Sequence, residues 1–322
     1  MELSRRDLLR HGSAAVLLGA AGAGGLATTA HASVPASSRF DLTDSSTELF
    51  RYQMLHESHH AMQGFAFDNV NRLIYVAQLQ DKASGGTGDD LCINHVSFGG
   101  TVRGHMHLAN AGHGVSIGAE GVGSDSYIWT ECDSDDSSTD GRGTALARFK
   151  FVDGATPKVT KFLQGSHGIT CAIDPVARRL VVRRLESNVR YFSVYSLTAA
   201  ARGDFSNRLA HFREPSVLTA GTDFQGYTAY GSYVYTMDGT TQANESTINS
   251  YVTCIDMNNG AIVSRKLTSA GKSLVYREPE GMAVYRTSGG EARLMMGFSS
   301  RPSKESLDRY ASVYYKNALI AG

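Results

Sequence analysis

The chain has no excess of either charge: 31 basic side chains face 31 acidic ones across 322 residues, for a formal net charge of zero. Nothing therefore draws it electrostatically onto nucleic acid or an anionic membrane surface. Cysteines are few, and Cys92, Cys132, Cys171 and Cys254 lie far apart with no C-x-x-C pair, which excludes zinc-finger spacing. Each sits in or beside a strand-like run and reads as a small buried apolar residue, with one disulfide left open as the alternative. No nucleophile elbow, P-loop or dinucleotide fingerprint occurs, which argues against hydrolase-fold esterases, kinases and nicotinamide enzymes. Proline is scarce at 6, whereas glycine reaches 34 and Tyr and Phe reach 15 and 13. That composition suits many short strands joined by glycine turns.

The first 32 residues read as an export signal and not as part of the fold. A twin-arginine SRRDLL motif (Ser4 to Leu9) precedes the small-residue run AAVLLGAAGAGGLA, which closes on Ala30-His31-Ala32, an A-x-A cleavage triplet. The run is too short and glycine-rich for a spanning helix. These features predict a secreted protein cleaved near Ala32, with no transmembrane segment in the mature chain. Residues 33–45 read as a flexible mature N-terminus and residues 46–322 as one folded domain.

A short stretch, GHGVSIG at residues 112–118, sets the internal pattern of that domain. Four more copies of a polar residue, a glycine and apolar-x-apolar occur: MQGFAFD from Met62, SHGITCAID from Ser166, FQGYTAY from Phe224 and PEGMAVY from Pro279. The polar positions Gln63, His113, His167, Gln225 and Glu280 are separated by 50, 54, 58 and 55 residues. Three strand-like runs follow each copy, except that the fifth copy lacks its last. Four strands per repeat of roughly 50 residues is the arithmetic of a β-propeller blade. The unassigned segment ELFRYQML, before the first copy, supplies the missing strand. The sequence thus predicts an all-β, five-bladed β-propeller with four-stranded blades, closed by an N-terminal strand that hides the sheet edges.

In a propeller the first strand of each blade lines the axis, where a glycine permits close backbone approach. The polar residue before it is expected to face the axis near one mouth, which makes Gln63, His113, His167, Gln225 and Glu280 a collar. Such a collar is a structural plug of hydrogen bonds, a site for a divalent metal such as calcium held by Glu280, His113 and His167, or an acid/base centre on His113 or His167. Polar loops on the same face add candidates. HESHH carries His56, His59 and His60 but lacks the helical H-E-x-x-H spacing of a zinc site, so a solvated loop is the simpler reading. DSDDSSTDG resembles a calcium loop in composition only. Arg277, beside Glu278 and near Glu280, can either neutralise a substrate anion or pair within the chain.

MQGFAFDNVNRLIYVAQLQ, HGVSIG, FQGYTAYGSYVYTMDG, YREPEGMAVYR and YYKNAL resemble the propeller family labelled teichoic acid biosynthesis protein C in Gram-positive bacteria, itself similar to phage receptor-binding (baseplate) propellers. The resemblance covers nearly all of the mature chain and implies the five-bladed fold and contact with cell-wall or other surface glycans. By analogy with secreted propellers that are polysaccharide lyases, one expectation is an exported enzyme that cleaves an anionic extracellular polysaccharide by β-elimination. There His113 and His167 serve as acid/base groups, Tyr227 assists proton transfer and Arg277 neutralises substrate charge. Gln63, Gln225, His60 and Glu278 would hold the glycan. The alternative is a non-catalytic, lectin-like module that uses the same face, as a monomer without nucleic-acid partners.

Overall fold

The computed structural model of the protein describes residues 34–135, 142–218 and 221–322. The expected export signal and most of the acidic DSDDSSTDG run lie outside these described residues. The repeats form five four-stranded antiparallel sheets, the expected five-bladed propeller. The inner strands are Met62–Asp68, Gly118–Val122, His167–Asp174, Asp223–Tyr230 and Glu278–Arg286, and in blades 1 to 4 the next three strands in sequence add outward in order. In blade 5 the outermost strand is the N-terminal Thr47–Met54, antiparallel to Tyr310–Lys316. First and last segments thus share one sheet, which closes the ring.

Five apolar clusters hold the blades together, one at each seam. Between blades 1 and 2, for example, Tyr75, Ile93 and Met106 meet Ile128 and Phe149; between blades 4 and 5, Tyr235 and Met237 meet Leu294 and Phe298. Strand alternation accounts for this, because both faces of a blade meet a neighbour and only the outermost strands, such as Ile262–Leu267, turn largely to solvent. All four cysteines are unpaired and buried in these strands. The lead-in over residues 33–45, expected to be flexible, is packed where it is described. Phe40 is buried in the blade 4–5 seam, its N–H donates to the Tyr235 hydroxyl at 2.9 Å, and Arg39–Phe40 pairs with Leu319–Ile320.

Two inner strands end on a buried aspartate with a turn-capping role. Asp68 accepts from the N–H groups of Val70 and Asn71 at 2.9 and 3.0 Å and from the Ser126 hydroxyl of blade 2. Asp174 does the same for Val176 and Ala177 and reaches the N–H of Gly231 in blade 4 at 2.9 Å. One carboxylate therefore closes a turn and ties neighbouring blades.

At the axis the glycines of four copies meet backbone to backbone. A methyl group on Gly64 would lie 2.5 Å from the Gly114 carbonyl oxygen, and one on Gly281 would lie 2.7 Å from the Gly64 Cα. A methyl on Gly226 would meet the Val115 carbonyl oxygen at 2.8 Å and the Gly281 Cα at 2.9 Å. Blade 3 differs: Gly168 is in contact with the Arg190 side chain instead. Blade 2 differs in register, since its strand starts at Gly118 and not at Val115 as the repeat predicts. The buried Glu131 carboxylate takes the N–H groups of His113 and Gly114 at 3.2 and 2.8 Å, the donors a ladder would have used.

Gly281 has φ +78° as well as this backbone contact. Gly281→Ala combines left-handed strain of about 1–2 kcal/mol with overpacking of about 1–3 kcal/mol. Chemical denaturation is expected to show a loss of about 3 kcal/mol, against a small change for Gly289→Ala on the surface, where a methyl meets only the Thr287 hydroxyl oxygen at 3.8 Å. Equal effects at the two positions would contradict the close-packed axis.

Candidate functional site

At the mouth of the ring lies an open pocket of about 740 Å³, to which every blade contributes. Blade 1 provides Gln63, blade 5 Glu278 and Glu280, and blade 4 Phe224 and Gln225. Blade 2 adds His113 and Arg142; blade 3 adds Arg183 and Arg190 from its second and third strands and Glu214 from the segment after its outer strand. The glycine contacts explain why residues so distant in sequence converge, because they set the neighbouring side chains around one small circle.

Four of the five expected collar residues are therefore brought together: Gln63, His113, Gln225 and Glu280. His167 is not. It is exposed and lines a separate pocket of about 320 Å³ with Asp135, Gly168 and Ser187, which shares only Arg142 with the first. The cause is local: Arg190 donates to the Gly168 carbonyl at 2.7 Å and occupies the space where the blade 3 glycine would otherwise join the axis. Consequently Glu280, His113 and His167 do not converge as a metal set. Among the described residues, the groups of side chains near enough to share an ion lie elsewhere, on blade 1.

Tyr227 and Arg277, expected at the reacting centre, are structural. Tyr227 is 0% exposed and its hydroxyl donates to the Val181 carbonyl at 3.1 Å, while burial pushes it well above the usual tyrosine range. Its N–H donates to the Ser116 hydroxyl at 3.0 Å, which ties blade 4 to blade 2. Arg277 is 1% exposed: its Nε donates to the Ala270 carbonyl at 2.8 Å, Nη1 donates to the Ser250 hydroxyl at 2.7 Å, and the guanidinium lies 4.0 Å over the Phe298 ring. Neither side chain lines the pocket. His60 also lies outside it, with Nε2 3.9 Å from an Asp81 oxygen on blade 1. Glu278 does line it, as expected.

The cations that do line the pocket, Arg142, Arg183 and Arg190, were not singled out by the repeat pattern. Arg183 is neutralised by Glu214 at 2.9 Å and stacked 3.7 Å over Phe224. Arg142 lies 3.7 Å from Glu131, and its buried Nη1 has no hydrogen-bond partner among the described residues. The Gln63 and Glu280 side chains, 8% and 4% exposed, line the same opening. Buried polar groups are normally hydrogen-bonded, so the Arg142 Nη1 marks a place where a ligand or solvent completes the set. Burial, reinforced by the Glu278 charge and opposed by Arg142, pushes the Glu280 carboxyl well above the usual range.

A family model described as "Phage 5-bladed beta propeller receptor binding platform domain" matches residues 61–315. A curated relative from Bacillus subtilis (strain 168), named "Putative major teichoic acid biosynthesis protein C", is 27% identical over 299 residues, covering 87% of this chain and 65% of the relative. The chain thus spans slightly less than two-thirds of that relative's length. Among solved structures, an alpha-L-arabinofuranosidase from Lactobacillus brevis aligns at 8% identity with TM-score 0.48, over 82% of this chain and 94% of that one. The mannose phosphorylase MPT-4 from Leishmania mexicana aligns at 10% identity with TM-score 0.44, over 87% and 93% respectively. Neither likeness bears on activity.

The raised Glu280 pKa has a defined sign in stability. The unfolded chain releases this proton at about pH 4.3 and the folded chain at a higher pH, so the contribution is complete below pH 4.3 and lost as pH rises through the folded value. Thermal unfolding midpoints followed from acid to alkaline pH should decline less in Glu280→Gln than in the parent. Parallel curves would mean that Glu280 ionises normally.

Proposed function

Because this chain belongs to the family of phage five-bladed β-propeller receptor-binding platform domains, we propose that its collar pocket binds a hydroxyl-rich, anionic polymer of a bacterial surface. One observation carries this reading: Gln63, His113, Arg142, Gln225 and Glu280 line one open pocket, and the Arg142 Nη1 is buried there without a hydrogen-bond partner among the described residues. Sugar and polyol hydroxyls need many directional donors and acceptors, and amide, carboxyl, imidazole and guanidinium groups supply both. Burial makes Glu280 hold its proton more tightly than an ordinary carboxyl, which lessens its repulsion of an anionic polymer. Arg142 is the cation placed to meet a phosphate or carboxylate. The name of the curated relative points to the same class, a wall teichoic acid.

Binding without bond cleavage fits the residues better than β-elimination does. A lyase needs a base and a cation at the reacting carbon. Two of the groups expected for those tasks, Tyr227 and Arg277, are occupied inside the protein. His113 and Glu280 remain at the pocket as the acid/base pair on which a lyase reading would have to rest.

Calorimetric titration of the mature protein with purified wall teichoic acid is expected to give saturable binding that weakens with salt. Arg142→Ala is expected to weaken it about tenfold, roughly 1.4 kcal/mol, and Gln63→Ala by less. No saturable binding to any anionic wall polymer would overturn the proposal. Release of unsaturated, ultraviolet-absorbing product from uronate-containing glycans would replace it with the lyase reading.

A further inference from the structure

We propose that His56, His105 and His107 form a transition-metal site on blade 1, which takes a divalent ion of the zinc or copper class. The site is separate from the collar pocket and independent of what that pocket binds.

His105 and His107 stand two residues apart on the outer strand Val102–Leu108, so strand alternation puts both on one face. The intervening Met106 and the following Leu108 turn the other way, into the seam with blade 2. His56 comes from a different part of the chain, the loop between the closing strand Thr47–Met54 and the first inner strand. That loop is pinned by two buried amides. Asn94 accepts from the His56 N–H at 2.9 Å; Gln78 accepts from the Glu57 N–H at 3.2 Å and donates to the carbonyls of Glu57 and His60 at 2.8 and 2.6 Å. The result places the His56 ring 3.5 Å from the His105 ring, stacked, and 5.9 Å from His107.

One nitrogen of each ring lies within 4.8 Å of one nitrogen of each of the other two. A tetrahedral ion with Zn–N bonds of about 2.0–2.1 Å needs these nitrogens roughly 3.4 Å apart. Closing that gap takes rotation about the side-chain torsions of the three histidines. The second layer is already present: the buried Glu57 carboxylate lies 2.9 Å from His107 Nε2 and is itself held by the Ser84 hydroxyl and the Asp81 N–H. A carboxylate behind an imidazole fixes its tautomer and orientation, the usual support of a metal-ligating histidine. Three imidazoles select zinc or copper over calcium, which requires oxygen donors. His56 is exposed and gives the ion its entry. When bound, the ion would clip the loop that leaves the closing strand onto the outer strand of blade 1, and so reinforce ring closure.

Titration of the mature protein with zinc chloride, followed calorimetrically, tests the assignment. Wild type is expected to bind one equivalent, to gain thermal stability on doing so, and to ignore calcium chloride. His105→Ala and His56→Ala are each expected to weaken zinc at least tenfold and to remove the thermal gain, and Glu57→Gln to weaken it about tenfold. His59→Ala is expected to bind as wild type does. Because His56 is exposed, His56→Ala decides the matter even if His105→Ala fails to fold. Zinc binding that is absent in wild type, or unchanged in His56→Ala, would overturn the site.

Discussion

Backbone contact among glycines at the ring axis is the constraint on which the remaining structure depends. Gly64, Gly226 and Gly281 leave no room for a methyl group against neighbouring backbone, Gly114 lends its carbonyl to the same contact, and the residue before each is thereby held beside the axis. A side chain there would push the inner strands apart and open the apolar seams behind them. Stability and site geometry thus share one origin: the packing that closes the propeller also positions Gln63, His113, Gln225 and Glu280 about one pocket. The two carboxylates at strand ends, Asp68 and Asp174, extend this coupling by binding a turn in their own blade and a donor in the next.

The pocket differs in kind from the core beneath it. Beneath it, the polar ends of two large buried side chains are satisfied within the protein: Tyr227 by Val181 and Arg277 by Ala270 and Ser250. At the pocket, the Arg142 Nη1 is buried without a hydrogen-bond partner among the described residues. Leaving such a group unmade costs about 1–3 kcal/mol unless an outside partner meets it. The same low-dielectric setting that raises the Glu280 pKa strengthens every hydrogen bond a ligand makes there.

Period and composition made the architecture legible in the sequence. Five glycine-centred copies at nearly constant spacing implied five blades, and an orphan strand before the first copy implied closure; both hold. Spacing could not reveal that Arg190 would occupy the space beside Gly168 and leave His167 outside the ring, because that depends on one side chain from another strand. Nor could it distinguish Arg277, buried over Phe298, from Arg142 at the pocket, since both follow polar stretches of similar character. The histidine cluster on blade 1 was half visible. HESHH drew notice for the wrong partners, His59 and His60, whereas the residues that meet His56 lie 49 positions downstream at His105 and in the same strand at His107. Contacts between segments, unlike periodicity, are a property of the closed ring.

A structure of the protein with a bound wall-polymer fragment is the most direct test of the account. It is predicted to show the fragment in the mouth of the ring, touched at once by Gln63 of blade 1, Arg142 of blade 2 and Glu280 of blade 5. A fragment seated on the outer rim or at the opposite mouth, with those three side chains untouched, would contradict it.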